Sequence, residues 1–102
     1  MTFSEYQKYA YQTALPTAKN LTYMILGLSS EVGEVAGKLK KEIRDNINSK
    51  EAITAEIGDV LWYLAGITTV LNLDLEEIAK SNLLKLQDRQ QRNTISGNGD
   101  YR

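Results

Sequence analysis

Cysteine and histidine are both absent from the 102 residues. Without cysteine there is no disulfide, no zinc thiolate and no cysteine nucleophile. Without histidine there is no Ser-His-Asp triad, no imidazole metal ligand and no side chain that ordinarily titrates near neutrality. Proline occurs once, at Pro16, and there is no marked excess of either charge: 12 Lys and Arg stand against 13 Asp and Glu, a formal net charge of −1. General nucleic-acid binders carry a basic excess that displaces phosphate counterions, so this balance argues against one. Long apolar runs are missing too. Nothing approaches the roughly 18 residues of a membrane-spanning helix, and the start, MTFSEYQKYAYQ, has neither the basic opening nor the apolar stretch of a secretory signal. The expectation is a soluble cytoplasmic protein with no membrane partner. Its chemistry is left to carboxylates, Lys, Arg, Tyr, hydroxyls and a bound ion.

Of the residues present, 42% are hydrophobic, enough for a core. The length suits one domain, although a chain this small buries only about two-thirds of its unfolded surface, so assembly into an oligomer would add to the core. Phe3, Tyr6, Ala10 and Ala14 recur at helical steps, and Thr2 with Glu5 has capping-box spacing. Leu21, Met24, Leu28, Val32, Val35 or Ala36, Leu39 and Ile43 continue the rhythm in a longer second helix. The loop formers of residues 45–49 follow, with Ser49 placed as an N-cap. Ile53, Ile57, Val60, Leu64, Ile67 and Leu71 mark the inward stripe of a third helix. Asn72 and Leu73 end it, and Asp74 with Glu77 has capping-box spacing before a fourth, striped by Leu75, Ile78 or Ala79, Asn82 or Leu83, and Leu86. No stretch alternates as a strand would. The spacing predicts an all-α, four-helix antiparallel bundle over residues 1–90, with a flexible C-terminal tail over 91–102.

Gly27, Gly33, Gly37, Gly58 and Gly66 fall inside these helices, each costing about 1 kcal/mol relative to Ala. Close helix packing is the first expectation for them. Access of a neighbouring helix to adjacent acidic residues is the second, compatible with it.

Those acidic residues are Glu31 and Glu34 on the second helix and Glu56 and Asp59 on the third. Three-residue spacing places each pair on one helical face, and both pairs border the apolar stripe. An antiparallel hairpin would turn all four toward one another. Like charges in a partly dry groove raise each other's pKa, and a divalent cation removes the conflict. An oxygen-only donor set suits Mg²⁺ or Mn²⁺.

Glu31-x-x-Glu34 followed by Glu56-x-x-Asp59 resembles the signature of MazG-like nucleoside triphosphate pyrophosphohydrolases. Gly27–Glu34, Glu56–Leu64, Asn82–Leu86 and the ending Gly97-Asn98-Gly99-Asp100-Tyr101-Arg102 extend the likeness over most of the chain. The resemblance implies Mg²⁺-dependent hydrolysis of a nucleoside triphosphate to monophosphate and pyrophosphate. It also implies a homodimer or homotetramer with sites near subunit boundaries. Glu31, Glu34, Glu56 and Asp59 are then the metal ligands and catalytic residues. The chemistry suits them independently, because phosphoryl transfer needs positioning and charge neutralisation more than a covalent nucleophile.

Further substrate-binding candidates each have a plainer alternative. Asn82, on the fourth helix's stripe, is a contact to substrate or metal, or a polar group satisfied inside the bundle. Lys85 meets a phosphate or solvent. Tyr63, one turn after Asp59, bonds a phosphate or sugar, while Trp62 stacks on a base or packs in the core. Lys38 pairs with Glu34 or reaches a phosphate. Arg102 pairs with phosphate if the tail closes over nucleotide, as the resemblance suggests, or belongs to a disordered end. Two other function classes remain. A carboxylate-bridged di-iron bundle normally needs Glu-x-x-His pairs, which this chain lacks. A non-catalytic helical oligomerisation or interaction module would use the acids as surface charges.

Overall fold

A computed structural model describes all 102 residues as four α-helices and one short 3₁₀ turn, with no strand. α1 spans Phe3–Gln12, α2 Leu21–Asp45, α3 Lys50–Val70 and α4 Leu75–Gln91, and a single 3₁₀ turn covers Pro16–Ala18. The fold class is the one expected. None of the helices is long and apolar enough to cross a membrane.

The helix ends follow local chemistry. Thr2 Oγ1 accepts from the Glu5 N–H and Glu5 Oε1 accepts from the Thr2 N–H, a complete capping box. Pro16 opens the 3₁₀ turn, where its missing N–H is not needed. Asn20 caps α2 through the Tyr23 N–H, and Asn46 ends that helix in the left-handed conformation that Asn tolerates. Ser49 holds the N-cap position of α3 without the expected side-chain bond. Its hydroxyl is buried and unpartnered, while its N–H donates to Glu42 Oε1 and the next N–H donates to Asn48 Oδ1. The Asp74–Glu77 capping box does not form either. Asp74 Oδ1 accepts from the Glu76 N–H and the Ser4 hydroxyl, and Glu76 reaches across to accept from the Phe3 N–H. The first turns of α1 and α4 are thus tied to each other.

α2 and α3 form a long antiparallel hairpin, and α1 lies across α3. α4 touches α1 and α3 but makes no contact with α2. The core is small, in two clusters: Ala10, Ala65 and Leu75, and Ala14, Ala18 and Met24. Trp62 packs against both. Its indole N–H donates to Thr13 Oγ1 at 2.8 Å and to the Ala10 carbonyl at 3.2 Å, so this side chain joins α3 to α1.

Close packing explains two of the helical glycines. A Cβ on Gly66 would lie 2.4 Å from Met24 Sδ, and one on Gly27 would lie 2.0 Å from the Tyr63 ring. For Gly33, Gly37 and Gly58 that expectation fails within this chain, since nothing lies within 4 Å of where their Cβ would be. The inward stripes are corrected in the same way: Val32, Leu39, Ile43, Ile57 and Leu64 are exposed. One layer of helix covers one side of the hairpin and nothing covers the other. The radius of gyration, 16.4 Å, accordingly exceeds the ~13 Å usual for a compact chain of this size.

Gly27→Ala should destabilise the fold by about 1–2 kcal/mol, because overpacking against the Tyr63 ring outweighs the gain in helix propensity. Gly33→Ala, with open space, should leave the isolated chain as stable or more so. Urea midpoints of the two variants measure the contrast.

Candidate metal centre

The hairpin sets Met24 against Gly66, then Gly27 against Tyr63. One turn further along α2 is Glu31, and one turn back along α3 is Asp59. The register fixed by the glycine contacts therefore brings the acids opposite one another. Glu31, Glu56 and Asp59 each present a carboxylate oxygen such that all three lie within 4.8 Å of one another. Glu31 and Glu56 are half-buried and Asp59 is exposed. Glu34 lies outside this trio on the same helix, close enough for its charge to act on Glu31.

No cation offsets these charges. None of the chain's five ion pairs involves Glu31, Glu34, Glu56 or Asp59. The Glu31 carboxyl is held above the ordinary glutamate range, first by a hydrogen bond to the Glu56 carboxylate, then by burial and by the charges of Asp59, Glu56 and Glu34. Tyr63, beside the cluster, is pushed up by burial and then by Tyr23, Glu31 and Asp59. Tyr6 of α1, which the sequence reading passed over, is raised by burial and by Asp59, placing α1 at the edge of the same site. An all-oxygen set with uncompensated negative charge fits a hard divalent cation.

The other candidates are dispersed. Lys38 is half-buried on α2, one turn beyond Glu34. Trp62 is engaged by α1 as described. Asn82 is exposed, so it carries no burial cost. Its stripe is uncovered because α4 does not reach α2, and it lines a shallow groove of about 390 Å³ with Asp74, Ser81 and Lys85. Lys85 Nζ is 2.7 Å from Asp100, and the Arg102 guanidinium donates to the carbonyls of Ile95 and Gly99. The last residues are folded back along α4. Arg89 escaped the sequence reading and is the chain's only buried charged residue. Its spacing of seven from Asn82 and four from Lys85, one helical face, was the available signal.

The profile of the MazG nucleotide pyrophosphohydrolase domain matches residues 19–93. That span holds α2, α3 and α4, including all four acids. A curated relative, the Gene 37 protein of Mycobacterium phage L5, is 39% identical over 89 residues, covering 82% of this chain and 78% of its own. No solved structure matches.

The raised Glu31 makes a pH prediction. Its folded form binds a proton more tightly than the unfolded chain does, so metal-free stability should rise as pH falls from neutrality toward the ordinary glutamate range. Glu31→Gln should flatten that rise, and saturating Mg²⁺ should do the same by replacing the proton. Melting temperature against pH, in EDTA and in Mg²⁺, measures both.

Proposed function

Because the chain belongs to the MazG nucleotide pyrophosphohydrolase family, we propose that it is a Mg²⁺-dependent hydrolase converting a ribo- or deoxyribonucleoside triphosphate and water to the monophosphate and pyrophosphate. The observation that supports this most is the convergence of Glu31 with Glu56 and Asp59 across the hairpin, with no cation of the chain's own nearby. In this reading Glu34 joins them as a fourth ligand from the adjacent turn of α2. Bound Mg²⁺, or Mn²⁺ in its place, neutralises phosphate charge and acidifies a water. The carboxylates fix the ion, the hairpin holds them in place, and Tyr63 offers a hydroxyl at the edge of the cluster. Lys38 lies on the same helix as Glu34 and supplies a positive charge for a phosphate.

Asn82, Lys85 and Arg102 are the remaining substrate contacts of this reading; the first two lie on α4, which does not touch α2, and Arg102 lies on the segment that follows it. They serve best at a boundary between copies. A homodimer or homotetramer also accounts for the uncovered apolar face of Val32, Val35, Ala36, Leu39, Ile53 and Ile57.

Glu31→Gln, Glu34→Gln, Glu56→Gln and Asp59→Asn should each lower pyrophosphate release with Mg²⁺ by at least about a hundredfold, since even groups supporting metal ligands cost 10- to 100-fold. Full turnover in folded variants, or diphosphate plus phosphate as products, contradicts the reading. Ile57→Asp should convert the oligomer to a monomer in light scattering; a monomeric wild-type chain contradicts the assembly.

A further inference from the structure

The end of α4 carries a second charged site. Arg89 is 4% exposed, and burying a guanidinium is costly unless its donors are met. They are met only in part. Nη2 donates to the backbone carbonyl of Asp100 and, at 3.3 Å, to its carboxylate, while Nε is buried with no partner at all. Lys85, one turn earlier on the same face, reaches the same Asp100 carboxylate at 2.7 Å. Two cations thus converge on one carboxylate with a donor to spare.

The segment that delivers Asp100 is held by polar contacts. Thr94 N–H returns to the Arg89 carbonyl at 2.7 Å. Arg92 donates to the Arg102 carbonyl at 2.8 Å, and Arg102 donates to the Ile95 carbonyl at 2.8 Å. Gly97, at φ +123°, makes the bend, a conformation that a side chain would strain. Tyr101 is fully exposed and contributes no burial. Asp100 itself is exposed, so its ion pairs with Lys85 and Arg89 are open to water and salt on one side, and a competing anion can displace it.

We propose that Lys85 and Arg89 form a binding site for a phosphate-bearing anion, and that Asp100 fills it in the ligand-free chain, so that the C-terminal segment and the ligand compete. The planar guanidinium, with Nε free, matches an oxyanion carrying several acceptor oxygens better than a single exposed carboxylate. The segment is an internal competitor: Asp100 must leave before the anion binds, and Arg102, released from the carbonyls of Ile95 and Gly99 by the same movement, is then free to pair with phosphate. That the anion is a nucleotide's phosphate rests on the pyrophosphohydrolase reading; the site itself rests on α4 and the segment alone.

The test uses inorganic tripolyphosphate in EDTA, with no nucleoside and no metal, against the full chain. Asp100→Asn and Gly97→Val release the segment in different ways, the second without altering any charge. Both should bind tripolyphosphate about three- to tenfold more tightly than the wild type, the scale of one or two exposed ion pairs. Lys85→Ala should bind more weakly. In the wild type, the ligand should speed carboxypeptidase removal of Arg102 and Tyr101. Unchanged affinity in both releasing variants, or an unchanged digestion rate, overturns the proposal. Tighter binding in the releasing variants, with no pyrophosphate released from nucleoside triphosphates in a separate assay that supplies Mg²⁺, would support the anion site and sink the hydrolase reading; hydrolysis in that assay without tighter binding would do the reverse.

Discussion

Like charges held together by helix packing are the constraint on which the molecule turns. Gly27 admits the Tyr63 ring and Gly66 admits Met24, and these contacts fix how α2 and α3 slide past each other. One turn along from Gly27 and Tyr63, the same register forces Glu31 against Glu56 and Asp59. The apolar packing opposes the repulsion, and the raised proton affinity of Glu31 records it. A divalent cation bound there would reverse the sign of the interaction, turning a local cost into a binding site.

The chain around that hairpin is lopsided. α1 and Trp62 close one side, and α4 leans on α1 and α3. The remaining side of α2 and α3 exposes a continuous apolar face. A single copy does little to hide this surface, which is the physical basis for reading the functional unit as more than one chain. The same geometry separates the acids on α2 and α3 from the cations on α4.

Helix number, order and the breaks between helices were legible because the apolar period is regular and the capping residues at Thr2 and Asp74 stand where a start is required. The meeting of Glu31 with Glu56 and Asp59 was legible from the paired three-residue spacing on consecutive helices, whereas Glu34, expected with them, lies outside that trio. Three things were not legible. The exposure of Leu39 and Ile57 was hidden because periodicity reveals an apolar face and not what covers it. The two roles of the glycines could not be separated, since only Gly27 and Gly66 meet a side chain within the chain. The Arg89–Asp100 contact depends on a turn at Gly97 that brings residues eleven apart together, and neither helical periodicity nor charge balance encodes it.

Binding of Mn²⁺, followed by its electron paramagnetic resonance as the ion is titrated into the metal-free protein, tests the central claim most directly. Saturable binding in the wild type, lost on changing Glu56 to Gln while the helical content stays the same, is the result expected from carboxylates that share an ion across the hairpin. Wild-type protein that leaves the signal of free Mn²⁺ unchanged, or a Glu56→Gln protein that binds as the wild type does, would contradict it.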